Sequence, residues 1–180
     1  MSRFPWQKSS PGRENHELHR EWGKDSIFQG FITVINSSKS YWRIDPASLP
    51  PFVAGARGGR RIKRGPLIDL DALQSLLKSG NFDDDKLDLA NPDCIKDMQK
   101  EGWSSTDVLN MLAGLCEKND YYKSEWCAIH GSRMVPCDVY RTPFDAARGC
   151  RTPKGLLVYI KFSIEEDGGL TIALVSCHAA

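Results

Sequence analysis

A phenol, an ammonium and an imidazole stand close together near the end of this 180-residue chain, at Tyr159, Lys161 and His178. An imidazole titrating near ~6.5 can give or take a proton at neutral pH. An ammonium can balance the charge of an oxyanion, and a phenol can hydrogen-bond a phosphate or stack on a base. These residues lie in GLLVYIKFSIEEDGGLTIALVSCH, which reads as a long hairpin turning at Asp167-Gly168-Gly169. Alternation sends Leu156, Val158, Ile160, Phe162 and Ile164 to the core side, and Leu157, Tyr159, Lys161 and Ser163 to the other. With a loop at Asp167-Gly168, Tyr159 faces Ser176 and Leu157 faces His178; with a loop at Gly168-Gly169, Tyr159 faces His178 directly. Both registers put Tyr159, Lys161 and His178 on one face, because opposed residues share a face. A three-residue loop with a bulge would shift the pairing by one.

Upstream, NDYYKSEWC places two tyrosines and Lys123 at the exit of a helix. Neighbouring residues of a strand point to opposite sides, so one of Tyr121 and Tyr122 belongs to the core and the other borders a surface. Lys123 and Lys161 would supply charge to non-bridging phosphate oxygens, and Arg141, in DVYR, could contact a phosphate with two prongs. Cys137 has no histidine at a spacing that would activate it and reads as a packing residue rather than a nucleophile. His16 with His19, and Cys127 with His130, have spacings that zinc could use, but no second pair completes either, so no metal and no cofactor is expected.

The elements that must position these groups are marked by punctuation. IDLDALQSLLKSG reads as a helix capped by Asp69 or Asp71 and ended by Gly80. NPDCIKDMQKEG starts on Asn91 before Pro92 and stops at Gly102. WSSTDVLNMLAGLCEKND opens on a capping box, Ser104 with Asp107, and carries a continuous apolar face. After Asp120 the period becomes two: YYKSEWCAI and MVPCDVYR read as strands, TPFDAARGCRTPKG as a loop. Helices followed by strands give the α+β class, with helices packed on a twisted antiparallel sheet. Residues 1–66 read as a basic extension, with a hairpin over 26–44 and a Pro-, Gly- and Arg-rich linker, ahead of a domain at 67–180. Residues 1–66 hold 12 basic against 5 acidic side chains, and 67–121 hold 5 against 12, so a polyanion should meet the ends of the chain rather than its middle. The longest apolar run is far too short to span a bilayer and no secretory leader is visible, so a cytoplasmic protein with free thiols and no membrane partner is expected.

In order and spacing, DLDALQSLLKSGN, DVLNMLAGL running into DYYKS, then CDVYR, VYIKFSI and a final LVSCH resemble the motility quorum-sensing regulator (MqsR) toxins, which are messenger-RNA interferases with a RelE-like fold. The resemblance runs from about Leu67 to His178, with a longer stretch near 142–154. It implies a RelE-like α+β domain that cuts single-stranded messenger RNA and is held inactive by a cognate antitoxin protein. It implies catalytic roles for Lys123 and Tyr159. It also places His178 where the family has a lysine and Cys137 at a polar, RNA-contacting glutamine position. Such cleavage uses the RNA's own 2′-hydroxyl as nucleophile, so the expected catalytic set is Lys123, Tyr159 and His178. Lys161, Arg141, Tyr122 and the Cys137 position would line the RNA, and Arg60 and Arg61 of ARGGRRIKRG could add phosphate contacts. A non-catalytic RNA- or protein-binding module on the same scaffold is the competing expectation.

Overall fold

The computed structural model describes residues 40–55 and 60–180. The first strand expected over 26–35 lies outside them. Among the described residues the fold is α+β, with four helices and a seven-stranded sheet.

The helices form where the caps predict. Helix α1 (Leu70–Lys78) starts on Asp69, whose carboxylate accepts the Ala72 N–H at 3.1 Å. Helix α2 (Pro92–Glu101) starts on Asn91 and ends on Gly102, whose φ of 70° suits a residue without a Cβ. Helix α3 (Ser105–Gly114) carries the full capping box between Ser104 and Asp107. A short α4 (Glu117–Asp120) leads into the sheet.

The strands are β1 (Arg61–Ile62), β2 (Leu87–Leu89), β3 (Tyr121–Ile129), β4 (Arg133–Asp145), β5 (Cys150–Arg151), β6 (Leu156–Glu165) and β7 (Thr171–Ala179). Their order is β1-β3-β4-β6-β7-β2, with β5 paired to β4. The sheet is mixed, which corrects the expectation of an antiparallel one: β2 runs parallel to β7, Leu87 opposite Ile172. Three residues inside the acidic run before α2 are too few to show a strand period. Strand β4 also outruns its expected end. Pro143 and Phe144 pair with β6, and Phe144 pairs with Arg151 as well, so part of the expected loop is sheet.

One sheet face is packed under the helices. Val158, Ile160, Phe162 and Ile164 join Leu73, Met111 and Leu112 in one core cluster, as alternation requires, while Leu156 is exposed at the end of the strand. The boundary expected at residue 66 does not follow the packing. Leu49 and Ile62 are buried with Leu67, β1 belongs to the sheet, and Trp42 bridges Ile68. Residues 41–44, expected as a hairpin strand, make that single bridge, N–H contacts from Arg43 and Ile44 to the Leu67 carbonyl, and one from the Asp69 N–H to the Tyr41 carbonyl. The six cysteines are free.

Candidate active site on the second sheet face

The opposite face of the sheet collects the chemistry, and cross-strand register explains how. Arg141 on β4 lies opposite Tyr159 on β6, which lies opposite His178 on β7. One step along, Lys123 on β3 pairs with Val139, Val139 with Lys161, and Lys161 with Ser176. Directly paired residues share a face, so two neighbouring rows hold Arg141, Tyr159 and His178, then Lys123 and Lys161.

Two irregularities set this arrangement. The hairpin loop spans residues 166–170, longer than the two-residue loops expected, and puts Phe162 opposite Leu174. An extra residue, Val175, then bulges between that pair and the Lys161–Ser176 pair, bringing His178 rather than Cys177 opposite Tyr159. The Tyr159 and His178 rings stack, with centroids 5.0 Å apart and planes at 18°. The second irregularity lies in β3 between Tyr121 and Lys123. It turns Tyr121 to the core, edge-on to Tyr140 at 5.7 Å, with its hydroxyl 2.9 Å from Ser124 Oγ. Tyr122 is left half-exposed, and the Arg141 guanidinium lies 3.9 Å from its ring centroid. The tyrosine pair is thereby divided, Tyr121 inward and Tyr122 toward the site.

His178 Nδ1 donates to the Ala179 carbonyl at 2.7 Å, so in the neutral ring Nε2 carries the lone pair. The Lys161 ammonium lies 5.6 Å from the Tyr159 ring centroid. Between the two lysines stands Glu125, which sequence reasoning did not select. Its Oε2 is 2.5 Å from Lys123 Nζ and its Oε1 2.6 Å from Lys161 Nζ. Burial works to raise the Glu125 carboxyl, but hydrogen bonds from Lys123 and Lys161 outweigh it and hold it below the usual carboxylate range. Burial likewise works to lower Lys161, and the Glu125 contact outweighs it, so this ammonium stays protonated well past neutral pH. The signal for Glu125 was its position two residues after Lys123, on the same strand face.

Cys137 pairs with Glu125 and so shares its sheet face, but it is closed off from solvent. It is 0% exposed because Ala90, Cys127, Ile129, Ala173 and Val175 pack around it in a second core cluster. Burial pushes its thiol well above the ordinary value. Arg61 sits opposite Glu125 on the short strand β1 and lines, with Tyr122 and Lys123, a groove of about 400 Å³. Arg60 is exposed and does not line that groove; its carbonyl accepts the Trp126 N–H.

Asp138, also missed, anchors the site from the helix side. Its carboxylate accepts the Leu67 and Ile68 N–H groups at 2.8 and 3.0 Å and the Ser124 hydroxyl at 2.5 Å, tying residues 67–68 to β3 and β4.

No family model, curated protein or solved structure matches the chain. Its functional reading therefore rests on the groups themselves.

Proposed function

We propose that the chain is an endoribonuclease of the MqsR type, a RelE-like messenger-RNA interferase that cuts single-stranded RNA by attack of its 2′-hydroxyl on the adjacent phosphorus. The observation that carries the reading is the convergence, on one sheet face, of Lys123, Arg141, Tyr159, Lys161 and His178 from four strands. This attack needs a proton acceptor at the 2′-oxygen, a donor at the leaving 5′-oxygen, and cations for the pentavalent oxyanion. Neutral His178 takes the 2′-hydroxyl proton on Nε2, and the imidazolium so formed gives it to the leaving 5′-oxygen. Lys123 and Lys161 neutralise the non-bridging oxygens, Tyr159 holds the imidazole in plane and borders the phosphate, and Tyr122 with Arg141 offers a stacking surface for a base. The nucleophile belongs to the substrate, so cleavage proceeds in EDTA. The substrate is met in the cytoplasm, and a cognate antitoxin protein restrains the activity. No described helix is long and apolar enough to cross a membrane.

Purified protein is expected to cleave single-stranded RNA in EDTA, leaving a 2′,3′-cyclic or 3′-phosphate end. His178→Ala and Lys123→Ala should each slow cleavage by roughly 10²- to 10⁴-fold with the fold retained by circular dichroism. Full activity in both variants would overturn the assignment. The burial of Cys137, which removes a polar group from the RNA face, favours a second reading as a non-catalytic RNA-binding module. Growth arrest on expression of the wild type but not of His178→Ala decides for the nuclease.

A further inference from the structure

The Lys123–Glu125–Lys161 contact is unlike an ordinary ion pair, because one carboxylate serves two cations with one oxygen each. The Glu125 side chain is 13% exposed, against 27% for Lys123 and 18% for Lys161, so all three are partly buried together. Two ammonium groups brought this close repel, and with nothing between them these flexible side chains would splay apart. Each ammonium has three N–H donors and spends one on Glu125, which leaves donors on both for the oxygens of a bound phosphate. A carboxylate held by two lysines presents the same two-pronged demand that the non-bridging oxygens of a phosphodiester would make.

We propose that Glu125 is a positioning residue that holds Lys123 and Lys161 convergent on one scissile phosphate while opposing RNA binding in the ground state. This rests on the endoribonuclease reading. The opposition follows from sign: a fixed negative charge at the site repels a singly charged phosphodiester. The convergence matters most when the phosphorus becomes pentavalent and carries more charge, so the same carboxylate trades ground-state affinity for transition-state stabilisation. A carboxylate whose only work was to tie β3 to β6 would change stability without separating binding from turnover.

The test uses the full chain as wild type, Glu125→Gln and Glu125→Asp. A single-stranded RNA gives kcat and KM, and the all-deoxy oligonucleotide of the same sequence, which lacks the attacking hydroxyl, gives affinity without cleavage. Glu125→Gln is expected to bind the deoxy oligonucleotide about threefold or more tighter. Its kcat should fall roughly 10- to 100-fold, so KM and kcat fall together. Glu125→Asp keeps the charge and should recover part of kcat at wild-type affinity. Faster turnover in Glu125→Gln would make Glu125 merely a competitor of RNA and overturn the proposal. So would unchanged kcat, or weaker binding of the deoxy oligonucleotide. Should Glu125→Gln fail to fold, Glu125→Asp decides alone: wild-type affinity with kcat at or below the wild-type value supports the proposal, and changed affinity or faster turnover overturns it. If the wild type cleaves no RNA, the endoribonuclease reading fails, and the deoxy oligonucleotide still tests the clamp by whether Glu125→Gln binds it more tightly.

Discussion

At the scale of single residues, the site is a set of opposed charges whose ionisation is coupled to folding. Glu125 has a lowered pKa in the fold, against about 4.3 in an unfolded chain. Its contribution to stability is therefore present above that value and is lost as pH falls through the folded one. Urea unfolding of the wild type and Glu125→Gln should show a stability gap at pH 7 that narrows below about pH 4.3. Asp138 has the opposite sign: burial raises its pKa despite the hydrogen bonds from Ser124, Ile68 and Leu67. The part of stability linked to its protonation is full below about 3.9 and declines as pH rises through the raised value. Removing the carboxylate is a different matter, because Asp138→Ala leaves two buried N–H groups, those of Leu67 and Ile68, without their acceptor. A loss of about 3 kcal/mol or more is expected by chemical denaturation. Tyr159 and Lys161 were legible in the sequence because apolar and polar residues alternate over 158–163, and His178 because either expected loop puts it on their face. Asp138 was not, since an acidic residue between Cys137 and Val139 shows its partners only once residues 67–68 fold back onto it.

At the scale of elements, both irregular steps in the ladder decide which side chain reaches the site. Alternation predicts a face but cannot see an extra residue, and each bulge reverses the alternation beyond it. This is why the register of His178 was left between two pairings and the tyrosine pair undivided. The bulge makes a prediction that a simple packing view does not. Deleting Val175 removes the extra residue and restores a continuous ladder in which His178 still opposes Tyr159. Cleavage should then survive within about tenfold, while stability drops by the burial of one valine, about 1.5–3 kcal/mol. Inserting one alanine after Val175 with the bulge kept brings Cys177 opposite Tyr159 and sends His178 to the helix side. That variant should lose cleavage while keeping a near-native circular dichroism spectrum. Loss of activity in the deletion, or its survival in the insertion, would show that the ladder does not set the site.

At the scale of the whole molecule, the described part of the basic segment is not an appendage. Leu49 and Ile62 are buried against Leu67, and the Arg43 guanidinium meets Glu117 with two hydrogen bonds at 2.9 and 2.8 Å. A chain begun at Leu67 forfeits the burial of Leu49 and Ile62, together about 3–6 kcal/mol, a large share of the 5–15 kcal/mol that stabilises a typical domain. A chain begun at Ser38 retains the whole compact unit. The first truncation should melt at markedly lower temperature than the second in a thermal scan, and equal melting temperatures would restore residue 67 as the true edge. The sequence hid this because Pro and Gly around 50–59 read as breaks, whereas Leu49 and Ile62, on either side of that stretch, are buried.

The parallel pairing of β2 with β7 governs when the sheet closes. Strand β2 comprises residues 87–89, yet its ladder partner is 172–174, so much of the chain must be in place before that edge of the sheet can close. Pairings of such sequence separation form late. His178 lies on β7, which pairs with β6 through the short loop at 166–170, so the Tyr159–His178 pair belongs to a local hairpin that does not wait for β2 to close the edge. The Tyr159–His178 pair is therefore built from near neighbours in the sequence, and the sheet edge beside it from distant ones.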